Sequence, residues 1–323
     1  MTSTPVNIVS IGGGSGLSTL MRGLKKTSAS LTAIVTVTDD GGSSGRLREE
    51  LNVLPPGDIR NCMIALSEDE NLMARLFRFR FNSSTNHGAL HDHNFGNLFL
   101  TAMAGVTGDF GEAVRLTSEV LAIKGKIYPS TTANVTLRAE FVDGSIVDGE
   151  TRITATGKRI KRVQLQPLDA EPLNDTLRAI RAADIITLGP GSLYTSLIPN
   201  MLVREMVDAI FASNAMKIFV QNIMTQPGET DGYTVGDHID ALVDHCGGEI
   251  LFPNIVINSG VPSEDILQRY KQEKAELVRL NRDRLHKMGL RIIERDLLAE
   301  DGVIRHDPDR LARSILEMGR VTI

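Results

Sequence analysis

The chain has 323 residues, 41% of them hydrophobic and 23% charged, which is room for one large α/β domain of ordinary globular composition. Its formal net charge of −5 excludes a broad electrostatic grip on DNA or RNA. Aromatics are scarce, with no Trp, four Tyr and ten Phe, which excludes a platform for stacking many bases.

In chain order, the apolar run at 6–11 leads into "GGGSG", which places Gly12, Gly13, Gly14, Ser15 and Gly16 between a strand and an amphipathic helix. Glycines there let backbone N–H groups approach an anion at a helix N-terminus. The dinucleotide template fails, because its third glycine falls on Leu17 or Thr19, and no Gly-Lys-Ser/Thr of a P-loop follows. A second buried-type strand at 31–38 ends in Asp39 and Asp40, followed by "GGSSG". Acids at such a strand end accept hydrogen bonds from sugar hydroxyls or, as a pair, hold Mg²⁺. Ser43 or Ser44 capping the helix that carries Leu47 is the structural alternative.

"PPGDIRN" then brings Asp58, Arg60 and Asn61 together at a rigid helix start. Arg60 either grips phosphate with its planar fork or pairs with a neighbouring acid. In "NHGALHDHNFGN", His87 and His91 at i, i+4 would share a helix face suited to zinc. Gly88 weakens that helix, and His91 and His93 fit no single face, so no transition-metal site is expected. Asn94 and Asn97 read as ligand amides or helix caps.

Residues 127–166 are β-rich, with Asp143-Gly144 as a tight turn, and read as a β-hairpin insertion within a single 1–323 domain. The basic "KRIKR" at 158–162 reads as a solvated hairpin edge. Further strands end in "LGPGSLYTS", offering Gly189, Pro190, Gly191, Ser192 and Thr195, and in "VQNIMTQ", offering Asn222, Thr225 and Gln226. A helix follows Ser263 as its cap, "LRIIERDLL" holds a strand, and a last helix starts with Asp307 as cap and Pro308. The alternation predicts a Rossmann-like, mostly parallel sheet with helices on both faces. Several strand ends then present small or polar residues at the carboxyl edge, where ligands bind in such sheets.

Cys62 and Cys246 give neither a disulfide framework nor a paired zinc spacing, no apolar run reaches a membrane span, and "MTSTPVNIVS" has no signal-peptide features. A cytoplasmic protein is therefore expected, and a homodimer is an ordinary assembly for one. No Gly-x-Ser-x-Gly motif surrounds Ser15 or Ser192, so no activated nucleophile is visible.

"GGGSGLSTLMRGLK", "AIVTVTDDGGSSGRLREE", "LPPGDIRNCMIAL", "HDHNFGNLFL", "ITLGPGSLYTSLIPN", "QNIMTQPGETDGYTVGDHIDAL" and "GVIRHDPDRLARSIL" together resemble the gluconeogenesis factor (YvcK-like) family of the CofD-like group. The resemblance implies a bacterial cytosolic protein that binds UDP-sugars such as UDP-N-acetylglucosamine, acts with a protein partner, and supports cell shape and cell-wall synthesis on gluconeogenic carbon sources. It implies no required cofactor. The pocket it implies comprises Gly13, Gly14, Ser15 and Gly16, Asp39 and Asp40, Asn94 and Asn97, residues 189–192 and 222–226, and Arg305. The enzyme branch of the group transfers a 2-phospho-L-lactyl unit from a nucleotide-activated donor to a deazaflavin precursor with Mg²⁺. Pro56, Asp58, Gly189, Pro190, Thr195 and Ser196 match that branch, which would make Asp58 catalytic and set Asp39 and Asp40 on the metal. The longer "DDGGSSGRLREELNVLPPGDIRN" segment departs from it and favours the binding branch.

Overall fold

The computed structural model describes residues 5–68, 72–82 and 88–320. The β-branched runs become strands shielded on both faces, as parallel sheets require. They begin with β1 (Asn7–Gly12), β2 (Ser30–Val35) and β3 (Lys126–Pro129). Next come β4 (Thr136–Phe141), β5 (Ile146–Asp148) and β6 (Ile160–Gln166), then β7 (Ile185–Leu188), β8 (Met216–Val220), β9 (Asn254–Asn258) and β10 (Arg291–Arg295). A two-stranded ribbon, β11 (Leu298–Glu300) and β12 (Ile304–His306), precedes the closing helix Pro308–Arg320.

The main sheet has seven parallel strands in the order β10-β9-β8-β7-β1-β2-β3. The chain builds outward from β1 in one direction, then returns to build outward from β7 in the other. Right-handed crossovers in opposite directions put helices on both faces. The reversal falls between β1 and β7, paired in register with Ile11 opposite Leu188. One buried apolar cluster runs from Ile8 to Met318 and takes in Leu137, Phe141 and Val163 of the insertion.

Three local expectations are corrected. The second strand stops at Val35, because its neighbours end at Gly12 and Pro129; only the Thr36 N–H still reaches back, to the Gly12 carbonyl at 2.9 Å. The β-rich insertion is not a hairpin beginning at 127: Ile127 belongs to β3 of the main sheet, and the insertion is a three-stranded antiparallel sheet, β5-β4-β6, with the helix Glu150–Ala155 between its last two strands. Ser263 stands at the helix N-cap, but its side chain hydrogen-bonds Glu300 instead of the helix. The Asp143-Gly144 turn forms as expected, with Gly144 at φ +82°. Asp307 caps the last helix by accepting from Asp309 N–H at 2.9 Å and Arg310 N–H at 2.8 Å.

Candidate functional site

The β1 and β7 loops meet where strand order reverses, the place in an open α/β sheet where two loops diverge and leave a crevice. Gly14 begins the helix Gly14–Leu24 at φ +63°, a conformation that favours glycine. Its N–H donates to Asp58 Oδ2 at 2.7 Å. Gly13 has no room for a side chain, since a Cβ would lie 2.7 Å from that same oxygen. A Cβ on Gly16 would lie 2.3 Å from the Pro190 carbonyl oxygen, so the two loops touch backbone to backbone. The second loop is locked by an amide exchange: Gly191 N–H donates to Asn222 Oδ1 at 3.1 Å, and Asn222 Nδ2 donates to Gly191 O at 2.7 Å.

Two cavities open along this edge. One, of about 350 Å³, is bounded by Ser15, Gly16 and Thr19, by Pro190, Gly191 and Ser192, and by Asn222, Thr225 and Gln226. Tyr270, Ile223 and Ile304 give it an apolar side, and Arg305 and His306 close it. The other, of about 330 Å³, shares Ser15, Thr19 and Arg305 and adds Arg60, Asn61 and Asn94. Gly13, Gly14, Asp39, Asp40, Asp58, Asn97, Gly189 and Thr195 line neither. Gly13, Asn97, Gly189 and Thr195 are buried, while Gly14 and the three acids are half-buried and make internal contacts.

The acids illustrate this. Asp39 accepts from Gly41 N–H at 2.9 Å, and burial raises its pKa. Asp40 takes the N–H and hydroxyl of Thr151 at 2.8 and 2.6 Å, tying the insertion to the β2 loop. The pair therefore turns to separate partners, and among the described residues no three His, Cys, Asp or Glu side chains stand where they share a metal ion. Asp58 is pushed up to about 6, first by burial and then by the charge of Asp39, against the Gly14 N–H and Arg60. Glu150 is raised well above the usual range by loss of water and by Asp39, Asp58, Glu229 and Asp40, although its side chain keeps some contact with solvent. Glu229 accepts from Tyr194 N–H at 3.1 Å, Thr195 Oγ1 at 2.9 Å and Gln226 Nε2 at 2.9 Å, and burial pushes it to about 7. Thr195 is thus a brace for that carboxylate.

Among the described residues Arg60 forms no salt bridge with an acid. It donates to the amide oxygens of Asn97 at 3.0 Å and Asn61 at 2.6 Å. Asn94 caps the helix Phe95–Thr107 through Gly96 N–H at 2.9 Å while also bordering the second cavity. Ser43 caps nothing: its hydroxyl meets His93 Nδ1 at 3.0 Å and accepts from Asn97 Nδ2 at 3.1 Å. His87 lies outside the described residues.

Sequence reasoning missed Arg22, Arg78 and Arg80, all of which border the second cavity. A signal existed for the first: Ser15, Ser18, Thr19 and Arg22 fall at i, i+3, i+4 and i+7, one face of a helix. Tyr270 carried no motif, and Glu229 lay inside "QNIMTQPGETDGY" without being singled out.

Fold and cleft define a class, the Rossmann-like α/β proteins with a crevice at the sheet's reversal point. Within that class the chain belongs to the CofD family: the family model for 2-phospho-L-lactate transferase CofD matches residues 8–298. A putative gluconeogenesis factor of a Nostoc species is 50% identical over 312 residues, covering 96% of this chain and 68% of that one. The gluconeogenesis factor of Bacillus subtilis is 46% identical over 96% of this chain and 97% of its own. A crystal structure of a Bacillus halodurans protein superposes with a TM-score of 0.93 at 46% identity, covering 97% of this chain and all 100% of that one.

Proposed function

We propose that this protein is a cytoplasmic regulator that binds a nucleotide sugar, UDP-N-acetylglucosamine, and passes its occupancy to a protein partner in support of cell-wall synthesis and cell shape during growth on gluconeogenic carbon. The observation that carries the reading is the first cavity, which pairs an apolar side of Tyr270, Ile223 and Ile304 with the glycine-loop helix start and Arg305. The apolar side and the amides of Asn222 and Gln226 suit a base. The helix N-terminus, Ser15 and Arg305 suit a diphosphate. Calorimetric titration with UDP-N-acetylglucosamine, UDP and GDP tests it. Uridine ligands should bind in preference to GDP, and Arg305→Ala should weaken them by about tenfold or more, as loss of a charge-assisted hydrogen bond does. Absence of uridine-selective binding overturns the reading.

A second reading, a 2-phospho-L-lactate transferase, draws on Asp58, which is poised to titrate at about 6 beside the glycine loop. A new phosphodiester formed from an activated phospholactyl donor and a deazaflavin acceptor, and lost in Asp58→Asn, would favour it.

A further inference from the structure

The second cavity adjoins the first. The two share Ser15 and Thr19 of the glycine-loop helix and the exposed Arg305, and then part. The first runs on to Tyr270 and to the amides of Asn222 and Gln226. The second runs to Asn61 and Ile64 of the helix Gly57–Leu66. Those two positions are three apart, which sets them on one face of that helix as neighbours. Ile64 is only 7% exposed and gives this cavity an apolar point. The Asn61 amide is oriented by its neighbour. A guanidinium only donates, so the atom that meets Arg60 Nη2 at 2.6 Å is the amide oxygen. The Nδ2 of this half-buried side chain then makes no hydrogen bond among the described residues. One helix face therefore brings an N–H donor and an aliphatic contact to the same space.

We infer that the second cavity seats the sugar half of the nucleotide sugar, and that Asn61 and Ile64 read its 2-acetamido group. A diphosphate has two ends. With its phosphates at Ser15 and Arg305 and its base against Tyr270, the sugar ester leaves into the other cavity that Ser15 and Arg305 border. An acetamido group presents a carbonyl oxygen and, beside it, a methyl. The oxygen matches the Asn61 donor and the methyl matches Ile64. A hydroxyl at that position of the sugar uses the donor and leaves the apolar contact unmet. The two spaces, of about 350 and 330 Å³, together fall within the roughly 300–1,000 Å³ usual for a small-molecule site. The inference rests on the proposed function, whose diphosphate fixes where the sugar begins.

Calorimetric titration of the full chain with UDP, UDP-glucose and UDP-N-acetylglucosamine tests it. The readout is the ratio of UDP-N-acetylglucosamine affinity to UDP-glucose affinity, in which whatever the two ligands share cancels. Asn61→Ala removes the amide. Asn61→Asp keeps an oxygen for Arg60 and replaces the donor with an acceptor. The ratio should fall about fivefold in the first and at least as far in the second, as loss of one net hydrogen bond does. Ile64→Val, which shortens the apolar contact by one methyl, should lower it by about two- to fourfold. Binding of UDP shows that a variant is folded and that its diphosphate end is intact. If uridine ligands bind and neither Asn61 variant moves the ratio, the inference falls and the proposed function stands. A protein that binds none of the three ligands loses both.

Discussion

Asp58 is half-buried and takes the Gly14 N–H, so its protonation state is tied to the geometry of the glycine loop. Its ordinary value of 3.8 rises to about 6 in the fold. A carboxyl raised in this way binds its proton more tightly folded than unfolded. Its contribution to stability is therefore fully present below about pH 4 and is lost as the pH rises through about 6. The amount is about 3 kcal/mol, from a shift of about two units at 1.36 kcal/mol each. Asp58→Asn keeps an oxygen for the Gly14 N–H and removes the titration. Denaturant melts between pH 4 and pH 7.5 should show wild type losing about 2 kcal/mol more than the variant across that range, since the unfolded carboxyl is already partly ionised at pH 4. Parallel pH profiles would show that Asp58 does not titrate in the window. Much of this scale was legible: the sequence pointed to Asp58, Arg60 and Asn61 because three polar types share one rigid turn. That Arg60 serves amides and not an acid was not legible, because its partner Asn97 lies 37 positions away.

The helix Glu150–Ala155 begins after Gly149, which has no side chain to cap it. Asp40 supplies the missing acceptor from across the chain, taking both the N–H and the hydroxyl of Thr151. This is an N-cap donated by the β2 loop, and it fixes the insertion against the main sheet. Asp40→Ala should cost about 1 kcal/mol, as N-cap losses do, and should speed amide exchange across residues 150–155. Nucleotide-sugar affinity should stay within about twofold, since a surface-tie loss of this size need not reach a cavity that Asp40 does not line. A large drop in affinity would return Asp40 to the ligand site. The sequence carried half of this element. Asp143-Gly144 marked the β4–β5 turn, and "KRIKR" marked an edge, where Lys158 now pairs with Asp143 at 2.8 Å and Lys161 with Glu140 at 2.6 Å. The six-residue helix and the four-residue β3 were too short to show a period, so the insertion's start and its third strand stayed hidden.

At the scale of the whole molecule, the α/β alternation was readable from the sequence, but strand order was not, because β1 and β7 are 177 positions apart where Thr187 meets Ser10. The first cavity lies where the loops that follow those two paired strands meet. A second long-range arrangement completes it. The closing helix Pro308–Arg320 packs on the glycine-loop helix, and Gly23 lets the two approach so closely that a Cβ there would lie 1.9 Å from the Pro308 carbonyl oxygen. Arg305 sits three residues before Pro308, on β12, so this contact positions the cation that borders both cavities. Gly23→Ala should push the helices apart and destabilise by about 1–3 kcal/mol, the usual cost of overpacking, despite a gain of about 1 kcal/mol in helix propensity. It should also weaken nucleotide-sugar binding, whereas Arg305→Ala, at an exposed residue, should weaken binding with little effect on the melt. A double-mutant cycle separates a route through Arg305 from general loosening. If the helix contact acts by placing that guanidinium, Gly23→Ala will cost no further affinity once Arg305 is already alanine. Additive losses would instead mean that the glycine-loop helix itself has moved.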